Sequence, residues 1–154
     1  MNLELRSQIL ANALIIEGEL KEIIKILLNV DRIDSKSLGY RQSALSAQTK
    51  VDLLFDIDEI SKDEYNSFKL FFEIRNQFIH NLDSESFEIV LNRIDGKNRL
   101  LKYSNNDFSN SEEQYFLCFQ ELALYILKCL EKTKNTIIKK RIEFLDNKIR
   151  VASM

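Results

Sequence analysis

The sequence predicts an all-α protein: an antiparallel helical bundle of about four to five helices with a long C-terminal helix. Three observations carry that prediction. Proline is absent and glycine occurs three times in 154 residues, so little in the chain interrupts a helix. Apolar residues recur at three- and four-residue steps through most of its length. Ser61 followed by Glu64, and Ser111 followed by Gln114, stand just ahead of such runs, the arrangement of a capping box. At 45% hydrophobic and 30% charged, residues 1–154 are read as a single domain with one core, neither disordered nor fibrous.

The first helix covers residues 3–30, where Ile9, Ala13, Ile16, Leu20, Ile23 and Leu27 form one seam. Leu10, Leu14, Ile24 and Leu28 widen its apolar face, so two sides are expected to pack. Glu17 falls within that face, either at its edge or meeting a buried cation. Residues 31–40 have turn chemistry and no period, and are read as a loop. Ala44, Ala47, Val51, Leu54 and Phe55 give a shorter helix ending near Ile57 and Asp58. A third helix runs over residues 62–81, with Asn81 as a left-handed terminator. Residues 86–94 read as a short helix or strand, and residues 95–110 as a surface loop. From Ser111 to about Ile149 the helical period continues without Pro or Gly, as one very long helix or two collinear ones.

Composition excludes several classes of function. No run reaches the roughly 18 apolar residues of a membrane span, and the start has no signal-peptide core, so a cytoplasmic protein without membrane contact is expected. Cys118 and Cys129 share a helical segment at a rise of about 16 Å, beyond disulfide reach. Two Cys and one His do not make a four-ligand zinc site, so no metal or other cofactor is expected. Formal net charge is −2, but residues 131–154 hold seven bases against three acids. That basic tail is a solvated face or, less commonly, a contact for a phosphate backbone.

The third helix is the informative one, because its apolar arc contains a charge. Tyr65, Phe68, Phe71, Phe72, Ile74, Phe78, Ile79 and Leu82 cover about half the circumference, and Arg75 projects near the middle of it. A guanidinium among such neighbours requires a partner or a solvated hollow. Glu73, Asn76 and His80 step by three and four and form one polar stripe. His80 lies in the last turn, where free carbonyls favour the imidazolium. Arg75 and His80 point about 140° apart on an ideal helix. Convergence requires that the helix loosen at His80, that the long Arg75 side chain bend around, or that two copies of the helix face each other; the half-apolar circumference favours the last and predicts a homodimer across this helix. An ion-pairing and capping arrangement with no chemistry would use the same residues. A Ser-His-acid site with Ser84 or Ser86 beside His80 lacks an oxyanion-hole signature.

The stretch from Arg75 through Asn76, Gln77, Phe78 and Ile79 to His80 resembles the motif of the HEPN superfamily, an Arg separated by four to six residues from a His, with Asn often following the Arg. Residues 44–55, 60–65 and 74–81 together look most like its mannitol-operon-repressor (MltR-like) branch. Ile79 departs from the family pattern, which usually has a small residue before the His. The resemblance implies a dimeric helical bundle with both motifs at the interface. In active relatives this is a metal-independent endoribonuclease site, so it implies catalytic roles for Arg75, Asn76 and His80. His80 would act as general base or acid, Arg75 would stabilise phosphate charge, and Asn76 would orient either. RNA is then the partner. The alternative implied by repressor-like relatives is a non-catalytic module, a transcription-regulator-like protein with a regulatory protein partner.

Overall fold

A computed structural model describes residues 3–30, 36–38, 44–81, 83–104 and 111–153, and six helices occur among the described residues. They are α1 (Leu3–Leu28), α2 (Ala47–Asp56), α3 (Lys62–His80), α4 (Phe87–Arg93), α5 (Lys97–Leu101) and α6 (Glu112–Ala152). No strand occurs among the described residues, and none of their helices is long and apolar enough to cross a membrane. Most of the 31–40 stretch lies outside the described residues.

The helix starts follow the sequence signals. Ser61 Oγ accepts from the Glu64 amide at 3.2 Å, and Glu64 Oε2 accepts from the Ser61 amide at 2.7 Å. Ser111 Oγ accepts from the Gln114 amide at 3.3 Å at the head of α6. The helix ends use acidic and amide residues where other chains use glycine. Asn29, Asp58 and Asp95 adopt φ of 54°, 59° and 49° just past α1, α2 and α4. The amides of Val30, Glu59 and Gly96 then turn back to the carbonyls of Lys25, Leu54 and Leu91, closing three Schellman-type ends. Short polar side chains tolerate that left-handed backbone better than others do.

Two expectations need correction. Asn81 is extended, at φ −112° and ψ 114°, not left-handed. Arg6 of α1 donates from Nη2 to the carbonyls of Asn81 at 2.9 Å and Ser84 at 3.2 Å, and the Ser84 amide bonds back to the Asn81 carbonyl at 3.1 Å, so the chain leaves α3 through a turn held against α1. Part of the 95–110 stretch is also helical: α5 is a single turn, too short to show a period, seated by the fully buried Leu100. Residues 105–110 lie outside the described residues. Residues 86–94 resolve as a helix. Ser86 caps it, and the Glu112 carboxylate of α6 accepts from the Phe87 and Glu88 amides at 2.6 and 2.7 Å.

α6 is one unbroken helix of 41 residues. Arg6 with Asn81 and Glu17 with Arg75 set α1 and α3 antiparallel, and Glu64 with Lys132 and Phe71 with Phe119 do the same for α3 and α6. Asn12 with Gln120 and Glu19 with Lys134 set α1 and α6 parallel to each other. Between them an aromatic core forms: Phe71 stacks on Phe119 at 5.1 Å, and Phe87 meets Phe78 at 5.1 Å and Phe119 at 5.7 Å. α6 outruns this core. Its tip bonds back through Arg141 to the Ile26 carbonyl and Asn29, and residues 142–153 are all exposed.

Candidate functional site

Arg75 leaves α3 toward α1, because the apolar residues around it fill the α1–α3 seam. It finds its partner there. Nη2 donates to Glu17 Oε1 at 2.9 Å and Nη1 donates to Asn76 Oδ1 at 2.9 Å, while Nε is buried without a hydrogen-bond partner among the described residues. The pair is not sealed in the core, since the two side chains are 23% and 28% exposed. It forms one wall of an open hollow of about 630 Å³, whose lining includes Asp52, Tyr65, Lys69, Glu73 and Asn76. Tyr65 donates to Asp52 at 3.0 Å, and that bond together with burial raises the phenol above its ordinary value.

A second cation is placed by α2. Lys50 lies within the apolar arc that Val51 and Leu54 continue, and it is only 7% exposed. Burial lowers its pKa, the Glu17 carboxylate pulls it back up, and Lys21 lowers it further. Glu17 is therefore paired with Arg75 and lies within electrostatic reach of Lys50. The sequence contains a signal for this arrangement: one Lys inside the apolar face of α2, to be matched with one Glu inside that of α1.

His80 is the final residue of α3 and is exposed. It does not line the hollow that holds Arg75 and Asn76, and among the described residues its side chain has no bonded partner. Arg75 and Asn76 are thus brought together, and His80 stands apart. The divergence follows from five helical steps in a helix that does not loosen before its end. Arg6 is the residue that sequence reasoning did not single out here, since its two carbonyl contacts fix the backbone that follows His80.

The other candidates have structural roles. Ser84 is buried and its hydroxyl accepts from Arg93 at 3.1 Å, while Ser86 caps α4. Four of the seven tail bases are tied to the body of the chain: Lys132 to Glu64, Lys134 to Glu19, Lys140 to Glu59, and Arg141 to α1. The basic tail is largely a fastening for α6. Cys118 and Cys129 are free and buried, and burial, with Glu64 adding to it, pushes the Cys129 thiol up to about 12. No cluster of His, Cys, Asp and Glu suited to a metal ion lies among the described residues. Arg75 and Asn76 can meet an anion at the hollow, and His80 can exchange a proton with a group on the outer face of α3. No family model, curated protein or solved structure matches the chain.

Proposed function

We propose that this protein is a HEPN-type homodimer that binds RNA and cuts it at a composite cleft formed by Arg75, Asn76 and His80 of two protomers. The observation that carries the reading is the divergence of Arg75 and His80 at the end of one capped helix. One chain cannot bring both to a single phosphate, and two chains related by a two-fold axis can. The flank of α1 that carries Glu17 also carries Leu10 and Leu14, at helical steps of four and three, and these are 40% and 55% exposed. A second copy would cover apolar surface there.

In such a cleft the neutral His80 imidazole takes the proton of an RNA 2′-hydroxyl. The freed oxygen attacks the adjacent phosphorus, and the 5′-oxygen leaves with a proton from the partner's imidazolium. Arg75 stabilises the charge that grows on the phosphate, and Asn76 orients it. The products are a 2′,3′-cyclic phosphate and a 5′-hydroxyl, with no metal in the step. Glu17 occupies the place on Arg75 that a phosphate oxygen would take, so substrate must displace it. Two free thiols suit the reducing cytoplasm.

The Glu17–Arg75 pair also favours a second reading, a non-catalytic regulatory or protein-interaction module of MltR-like type in which the pair fastens α1 to α3. RNA incubated with the protein in EDTA separates the two. Cleavage to cyclic-phosphate ends that is abolished in His80→Ala supports the first. Equal inertness of wild type and variant, with dimer stability falling in Arg75→Ala, supports the second.

A further inference from the structure

Next to the hollow walled by the Glu17–Arg75 pair, across Lys69 and Glu73 of α3, lies a second open hollow, of about 770 Å³, whose lining includes Lys69, Glu73, Arg99, Lys102, Tyr103 and Tyr125. Two phenol rings form one wall, with centroids 5.7 Å apart and planes 57° from each other. Tyr103 is fixed from below: its hydroxyl lies 2.6 Å from Ser67 Oγ, and Ser67 in turn donates to the Asp63 carbonyl at 2.8 Å. Tyr125 is 40% exposed, so its ring borders the open space. At the rim, Arg99 is held by Glu73 at 2.8 Å. Lys69 and Lys102 are exposed and have no ion pair among the described residues.

We propose that this hollow binds one nucleotide unit of single-stranded RNA, with the base against Tyr125 and the phosphate toward Lys102 and Lys69. A rigid aromatic wall beside uncommitted ammonium groups matches the two recurring features of single-strand sites, a stacking platform and a cationic track. A purely apolar ligand would leave the rim charges unused, and a simple anion would leave the rings unused. The hollow is of the size usual for a small ligand. Its place on α3 gives the strand a direction. Lys69 and Glu73 border both hollows, and with Asn76 and His80 they step by four, three and four along one polar stripe. A chain seated against Tyr125 therefore leads over α3 to His80. The inference rests on the RNA-directed reading for its ligand, while using none of the Arg75, Asn76 and His80 side chains.

The test is fluorescence anisotropy with a short labelled 2′-O-methyl oligouridine, which cannot be cleaved, so binding is read apart from chemistry. Tyr125→Ala should bind at least about fivefold more weakly, from the loss of one stacked base. Tyr125→Phe should restore binding to within about twofold, because the ring is kept. Lys102→Gln should flatten the dependence of log affinity on log salt by about 0.7. Competition by uridine monophosphate distinguishes a free nucleotide from a chain: displacement at equal strength per molecule overturns the chain as ligand. Undiminished binding by Tyr125→Ala, or none by wild type, overturns the hollow. Neither result touches the cleavage assay, which decides the composite cleft independently.

Discussion

At the scale of single residues, Glu17 and Arg75 form the contact on which the site turns. Both side chains are about a quarter exposed, so their coupling is weaker than that of a sealed pair. A double-mutant cycle with Glu17→Gln and Arg75→Gln, read by urea unfolding, should return about 0.5–1 kcal/mol. Gly18 sits in the middle of α1 with nothing within 4 Å of the place a Cβ would occupy. Gly18→Ala should therefore stabilise the fold by about 0.5–1 kcal/mol, since it removes chain entropy without a clash. The Cys129 thiol, held near 12 by burial, should stay unmodified by a thiol reagent at neutral pH until the chain unfolds. Rapid labelling of the native protein would refute that burial.

At the scale of elements, α3 depends on its first turn. Ser61→Ala removes one of two reciprocal caps and should cost about 1 kcal/mol. The same turn gives a pH signature. Burial of Glu64 works to raise its carboxyl pKa, but the bond from Lys132 and the Ser61 amide outweigh it, and the net shift is downward from 4.5. A carboxyl depressed by folding contributes its full stability above the unfolded value, and that stability is lost as pH falls through the folded one. Midpoints of urea unfolding should drop below about pH 4.5 and drop less steeply in Glu64→Gln. The far end of α6 behaves differently. Residues 142–153 are exposed throughout, so truncation after Arg141 should change stability by less than about 0.5 kcal/mol.

At the scale of the molecule, oligomeric state is the decisive quantity. Light scattering coupled to gel filtration should give twice the chain mass, and Leu14→Glu should return the monomer, because it puts a charge on the flank a second copy would cover. A monomeric wild type would leave Arg75 and His80 with no common phosphate. Core substitutions act on a different property: Phe71→Ala empties the stack on Phe119 and should cost about 3–5 kcal/mol wherever the assembly equilibrium lies.

What could be read without coordinates was whatever depends on neighbours a few residues apart. The α1 seam, the Ser61 capping box, the start and helical period of the C-terminal segment, the two buried thiols and the polar stripe of Glu73, Asn76 and His80 are local patterns, fixed by helical geometry, while that segment's being one unbroken helix was decided by the structure. Arg75 amid phenylalanines announced that something must receive it, but not what. Tertiary structure alone decided that Glu17 receives it, that Lys50 comes within electrostatic reach of Glu17, that Arg6 holds the Asn81 and Ser84 carbonyls, and that Glu112 caps a helix two elements away. Each of these joins residues at least twenty-four positions apart. A periodic pattern states which face of a helix is buried and is silent about which other helix that face will meet.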